Sequence, residues 1–525
     1  MTTSTRVVTT ALVALLVASL APVGRTDTSR PMIVRVSVAS PQEAAYLMSS
    51  FDETHNHAPG EIELLLWPGD RARLDATGLD YDVVIEDLFA HDMAQSAGPK
   101  PTFALPGPDR ADYRRLADYN NEMAKLAKKH PQLVTRFKLK RPSLEGRPIY
   151  GVEIAADVRD VDDGRPIFYI DAIHHAREWP AAEYSMLFIH RLVEKYGKDP
   201  HVTSLLRRAR VIAVPVVNVD GFHYSRESLV QISALGAANG FEGYWRKNRR
   251  SVTGVTLPAV QTNPDAYGVD PNRNYAYEWG DSNGGSSGNL FDQTYRGTAP
   301  FSEPETRNVR DIILGRPVTG IITNHTYQGS VLRAGGGEAP EDALLKRIGE
   351  KMADVLGYAN APSVGYPTTG TTDDWAYAAM SALGYTIENG RLGFHPPYDQ
   401  EVGAFWKEHM KAFLIMFDVS ADPRYHSIIT GAVANGPAEL TITKTFKTPL
   451  SPGNPTGKKS VPEKIKLTLT TAKNGSFEWH LSPSSRPYEK KPESYTLTIR
   501  SGGESKTMHV RVDRGEVLNL GTIRL

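Results

Sequence analysis

Apolar runs and stretches of helical period alternate through the middle of the chain. Runs at 148–155, 167–173, 209–217, 318–325 and 385–388 predict strands. Periodic stretches at 113–129, 180–196, 303–314, 341–356 and 405–419 predict helices. Strands and helices mixed at this spacing predict an α/β domain over 109–423, a central mixed sheet with helices on both faces. In such sheets ligands collect at the carboxyl ends of the strands. His175, Asp220, His325 and Glu388 each stand at or just past the end of an apolar run.

Different rhythms flank this domain. Strand-like runs at 32–38, 62–67 and 81–85, with Ser40-Pro41-Gln42-Glu43 opening a helix, predict a small α/β unit over 31–92. A linker over 93–108 follows, marked by Gly98-Pro99 and Pro106-Gly107-Pro108. After 423 the helical period stops. Short alternating segments at 439–445, 465–471, 476–481, 494–499 and 509–512, separated by Pro, Gly, Asn and Ser, predict a β-sandwich over 424–525. At the start, Arg6 precedes an apolar run at 11–21 that ends in small residues and Pro22. This is the layout of a secretory signal peptide over 1–26, too short for a membrane span, with a lone N-terminal anchor as the alternative.

At 525 residues the chain exceeds one hydrophobic core, in keeping with several domains. A formal net charge of zero favours neither nucleic acid nor a membrane surface as partner. Cysteine is absent, which removes it from every proposed site and, in an exported chain, points to bacterial-type secretion without disulfides.

The chemistry begins at Ile173-His174-His175-Ala176-Arg177-Glu178-Trp179, where a strand gives way to a helix. A His and a Glu three apart in such a turn can share one metal ion, and zinc in hydrolases is often held by two His and one Glu. Of the two histidines, only His175 has Glu178 three residues on. His325, ending Thr323-Asn324-His325, is the candidate distant ligand. Glu388 ends Gly384-Tyr385-Thr386-Ile387-Glu388 and shares a strand face with Thr386; a carboxylate there suits a general base. Arg246, beside Trp245, and Arg273, between Asn272 and Asn274, offer guanidinium forks suited to a carboxylate. Two further readings attach to the loop at 281–292. Its Gly284-Gly285-Ser286-Ser287-Gly288 fits G-x-S-x-G but lacks the strand before and the helix after that a serine hydrolase needs. Its oxygen ligands would suit Ca²⁺, without an EF-hand pattern.

In order, His-x-x-Glu-Trp, Trp-Arg-Lys, Asn-Arg-Asn, His-x-Tyr, Tyr366 followed by Asp373-Asp374-Trp375, and Thr-x-Glu resemble the motifs of the zinc metallocarboxypeptidases of the pancreatic A/B and bacterial T type. The resemblance implies one Zn²⁺ held by His175, Glu178 and His325, with Glu388 as general base and Arg246 polarising the scissile carbonyl. It implies Asn272 and Arg273 as the clamp on a substrate's terminal carboxylate, and Tyr366 as a tyrosine closing over substrate. Arg177 and Tyr327 match residues lining further subsites, and Asp373 falls at the floor of the specificity pocket. The implied activity is removal of C-terminal residues from peptides and proteins, with preference for Lys/Arg or dual specificity. A peptidoglycan-peptide hydrolase of the same family and a non-catalytic binding protein on this fold are the alternatives. The unit over 31–92 resembles in placement the activation segment of pancreatic-type precursors. Departures from the family pattern are Gly243, where pancreatic members carry Arg, and Asn389-Gly390-Arg391 after the base.

Overall fold

The alternating run after residue 31 forms the middle of a small antiparallel sheet. In the computed structural model, which describes residues 30–54, 56, 60–67, 69–96, 105–108, 110–235, 241–251, 267–281, 285–363 and 367–525, the strands β1 (Met32–Ser37), β2 (Asp52–Glu53), β3 (Glu61–Leu66) and β4 (Tyr81–Ile85) are ordered β2-β3-β1-β4. The apolar run read as an export signal lies outside the described residues. Ser40 caps the helix Pro41–Ser50 by accepting from the Glu43 N–H at 3.2 Å, while the Glu43 carboxylate accepts from the Ala39 N–H at 2.7 Å. The inner strands β1 and β3 are buried on both faces, while the edge strand β4 is largely exposed. Val34, Val36, Leu64 and Leu66 pack with Leu47 and Leu74 of its own helices. Ile33, Leu65 and Trp67, on the other face by strand alternation, pack against Tyr244, Tyr327 and Phe394 of the large domain.

The central sheet comprises β5 (Val134–Lys138), β6 (Tyr150–Ile154), β7 (Ile167–Ala172), β8 (Arg210–Val214), β9 (Val318–His325), β10 (Ser330–Arg333), β11 (Ala359–Ala361) and β12 (Leu383–Glu388), ordered β11-β10-β12-β9-β7-β8-β6-β5. The four inner strands β12, β9, β7 and β8 run parallel and are buried throughout, which is why they read as unbroken apolar runs. Two glycines show that helices cover both faces. A Cβ on Gly320 would lie 2.2 Å from Ser420 Oγ in the helix Ala404–Ala421. One on Gly384, which pairs with Ile321 and so faces the other way, would lie 3.0 Å from the Asp373 carbonyl in the helix Thr372–Met380.

The last hundred residues form β13 (Ser427–Val433), β14 (Glu439–Pro449), β15 (Ser460–Thr470), β16 (Ser476–Leu481), β17 (Tyr495–Ser501), β18 (Glu504–Val510) and β19 (Val517–Ile523). They make a three-stranded sheet, β16-β13-β19, and a four-stranded one, β15-β14-β17-β18. Ile429 and Trp479 of the first and Leu440, Ile442, Leu467 and Leu497 of the second join one buried cluster. These sheets are fastened to the large domain. Arg514 pairs with Glu341 at 2.6 Å, and Trp375 Nε1–H donates to Glu463 of β15 at 3.2 Å.

Candidate active site

Three parallel strands deliver the central residues. Glu388 and His325 are register partners at the ends of β12 and β9, and His175 lies three residues beyond β7, the next strand. Between β7 and His175, Ile173 has φ +56°, a rare conformation for a β-branched residue, and the chain turns there. The turn separates the two histidines. His174 points into the domain, its Nε2 2.9 Å from the Tyr275 hydroxyl and 3.0 Å from Thr372 Oγ1. His175 points to Glu178. Asp220, also past a strand end, belongs elsewhere: it accepts from Ser143 Oγ at 2.7 Å and pairs with Arg147 at 2.8 Å.

His175, Glu178 and His325 are all buried, and one ligand atom from each lies within 4.8 Å of the others, so the group could hold a metal ion. His175 Nδ1 is 2.6 Å from Glu178 Oε1, His325 Nδ1 is 3.0 Å from Glu178 Oε2, and the two Nδ1 atoms are 3.1 Å apart. Behind them, Asp270 Oδ1 lies 3.2 Å from His175 Nε2, a carboxylate that fixes the imidazole with Nδ1 turned inward. Burial, with Arg246 adding to it, drives the His175 imidazole down to about 4, so it stays neutral and fit to ligate. Glu388 Oε2 is buried with no hydrogen-bond partner among the described residues, and Glu178 Oε2, close to His325 Nδ1, makes no well-formed hydrogen bond either. Anionic oxygens left this way are costly, and a divalent cation fits them. Two nitrogens and carboxylate oxygen are a donor set that suits zinc.

Glu388 is carried well above the usual carboxylate range, first by burial and then by the charge of Glu178; Arg246 and Arg273 pull the other way. Arg246 donates to Asp270 Oδ2 through Nη2 at 2.9 Å. Although Asp270 is buried, Arg246 and His175 hold it well below the carboxylate range. Asp270 therefore braces both a histidine and an arginine, a part that its place in Val269-Asp270-Pro271 did not announce. The same side chain accepts from Asn272 N–H at 2.8 Å and starts the short turn Pro271–Arg273. Asn272 Oδ1 is fixed by Thr372 N–H at 3.0 Å, and Arg273 Nη1–H donates to the Asn272 carbonyl at 2.9 Å.

His175, Asn272, Arg273, Asp373 and Glu388 line one cavity of about 730 Å³. Asp373 sits in the first turn of Thr372–Met380, and burial, with Asp374 beside it, pushes its carboxyl up to about 7. Asp374 is committed locally, accepting from Gly335 N–H and Thr371 Oγ1, each at 2.7 Å. Arg177 and Tyr327 are instead held by the N-terminal sheet. Arg177 makes a two-pronged ion pair with Asp52, one prong at 2.8 Å, and stacks 4.2 Å over the Phe394 ring. Tyr327 donates to Glu63 at 3.0 Å. Tyr366 lies outside the described residues. In the loop at 281–292, Ser286 Oγ accepts from Thr369 Oγ1 at 3.0 Å and Asp292 accepts from Ser287 and Asn289, at 2.5 and 3.0 Å.

Residues 119–412 match the zinc carboxypeptidase family, Peptidase_M14. The chain belongs to that family of zinc-dependent enzymes. It is 29% identical to carboxypeptidase B of Homo sapiens over 291 residues, 52% of this chain and 63% of the relative, just under two thirds of that protein. It is 27% identical to carboxypeptidase A1 of Rattus norvegicus over 349 residues, 63% of this chain and 76% of the relative. The solved carboxypeptidase A of Helicoverpa armigera superposes with a TM-score of 0.59 at 22% identity, covering 74% of this chain and 98% of that one, which shows the shared fold.

Proposed function

We propose that the protein is an exported zinc metallocarboxypeptidase that hydrolyses the C-terminal peptide bond of peptides and proteins, favouring a C-terminal Lys or Arg. The observation that carries this reading is the convergence of His175, Glu178 and His325 beside Glu388, in a site whose cavity also presents Arg273 and Asp373.

In this reading His175, Glu178 and His325 hold the metal. A bound zinc ion supplies Lewis-acid polarisation of the scissile carbonyl and a lowered pKa for water. Glu388 takes a proton from the attacking water and returns it to the departing amine. Arg246, aimed by Asp270, steadies negative charge as it develops on the carbonyl oxygen. Asn272 and Arg273 grip the substrate's terminal carboxylate, Arg273 by its fork, which restricts cleavage to the last bond. Asp373 at the pocket floor selects a cationic side chain through charge.

The N-terminal sheet acts as a shield. Asp52 and Glu63 occupy Arg177 and Tyr327, the positions that match outer substrate subsites, and Trp67 Nε1–H donates to Asp52 at 2.9 Å to hold it there. Cleavage in the linker at 93–108 would release this cover. Export rests on the apolar run at 11–21; among the described residues no helix is long and apolar enough to cross a membrane.

The test is release of free Arg or Lys from peptides by the cleaved protein. It should be abolished by 1,10-phenanthroline, restored by zinc, and lost in Glu388→Gln. Undiminished activity in Glu388→Gln would remove the proposed base.

A further inference from the structure

The cavity that holds Arg273, Asp373 and Glu388 is closed on one side by a residue of the C-terminal sheets, Tyr488. Tyr488 stands in the loop between β16 and β17, half-buried although its neighbours Glu489 and Lys490 are exposed. The loop is braced on both sides of it. Arg486, itself buried, pairs with Glu489 at 2.6 Å and with Glu493 at 2.9 Å, and Pro487 limits the backbone between them.

Tyr488 meets the large domain ring to ring. It stacks on Tyr277, with centroids 5.1 Å apart and planes 17° apart, and makes a T-shaped contact with Tyr377 at 5.8 Å and 89°. The large domain makes room for it at Ala334-Gly335-Gly336-Gly337. A Cβ on Gly335 would lie 2.8 Å from the Tyr488 hydroxyl, and Gly335 has φ +84°, so the phenol tip occupies the space that a side chain there would fill. The Gly335 N–H is also the donor to Asp374, which places Tyr488 beside the acidic end of the cavity. Asp374, Glu278 and Glu338 all act electrostatically on its hydroxyl. The nearby cation Arg333 is tied to Asp342 at 2.6 Å.

We infer that the C-terminal domain is part of the specificity pocket, with Tyr488 and Tyr277 forming an aromatic wall that favours a cationic terminal side chain over an apolar one. This rests on the carboxypeptidase reading above. A guanidinium or ammonium group entering toward Asp373 would meet an outer π-face of the stacked pair, which attracts it where a neutral side chain gains only contact. The domain is held in register for this task through the helix that carries Asp373, because Trp375 of that helix bonds Glu463 and Ser381 at its end accepts from Arg514 at 2.8 Å.

The experiment compares wild type, Tyr488→Phe and Tyr488→Ala, each as the full chain cleaved in the linker, on peptides differing only in a C-terminal Arg, Lys or Leu. The quantity read is the ratio of kcat/KM for Arg or Lys to that for Leu. The expected result is a fall of about tenfold in Tyr488→Ala and a ratio kept within about twofold in Tyr488→Phe, which retains the ring. A ratio unmoved in Tyr488→Ala would overturn the inference, including the case where all three substrates lose equally, as a purely structural residue would produce. Wild type that releases no terminal residue would sink the underlying activity first. Wild type that is active but moved by Asp373→Ala and not by Tyr488→Ala would sink the role of Tyr488 alone.

Discussion

Glu388 ends its strand buried, where the charge of Glu178 favours its protonated form and that of Arg246 its ionised form. Substituting Gln keeps the shape and removes the proton acceptor. Glu388→Gln should therefore lower kcat by about 10²- to 10⁴-fold while zinc content, measured by metal analysis, stays at the wild-type level. Asp270 acts one step further back. Asp270→Ala should weaken zinc binding by about ten- to a hundredfold, read by competition with a chelator, because His175 loses the carboxylate that orients it. Asp373 gives a pH signature. Burial raises its carboxyl to about 7, so it is neutral below that pH and charged above it. The kcat/KM ratio for Lys- over Leu-terminated peptides should climb as pH passes upward from about 6 to about 8, and Asp373→Ala should flatten it. A ratio constant across that range in wild type would contradict the assignment.

The strands explain why so much of the site could be read before the fold was known. A parallel strand buried on both faces must be apolar along its length, so β7, β9 and β12 announce themselves, and a polar residue at such an end is conspicuous. His175, His325 and Glu388 were legible for that reason. The short strands β5, β10 and β11 and the helices Pro200–Arg208, Val219–Leu235 and Thr372–Met380 were not, because few residues give no clear period or polar residues interrupt it. The family motifs supplied Arg246, Asn272 and Arg273, whose spacing alone says little. Partners distant in sequence stayed hidden: Arg177 and Asp52 are 125 residues apart, and nothing in either segment names the other. Tyr488 was hidden in the same way, as a loop residue of a different unit. Close packing of elements is testable at Gly320. Gly320→Ala should cost about 1–3 kcal/mol of stability, read by denaturant unfolding, because its Cβ would meet Ser420 Oγ at 2.2 Å.

At the scale of the whole molecule, the two flanking units approach opposite needs of one site. The N-terminal sheet packs Ile33, Leu65 and Trp67 of one face on the large domain, with Asp52 and Glu63 reaching Arg177 and Tyr327. The uncleaved chain should hence be nearly inactive, and cleavage in the linker should raise kcat/KM on peptides. Asp52→Ala combined with Glu63→Gln should raise the activity of the uncleaved form toward that of the cleaved one; full activity in the uncleaved wild type would remove the shielding role. From the C-terminal sheets, in contrast, the loop between β16 and β17 brings Tyr488 to the cavity lining. The central claim, a zinc centre that acts only at a free C-terminus, meets its most direct test in one titration. Metal-free, linker-cleaved protein is titrated with zinc while Arg release is followed from a peptide with a free C-terminal carboxylate and from its amidated twin. Activity should rise to a plateau at one zinc per chain on the free peptide and remain near zero on the amide. Equal release from both peptides, or release without added metal, would contradict the account.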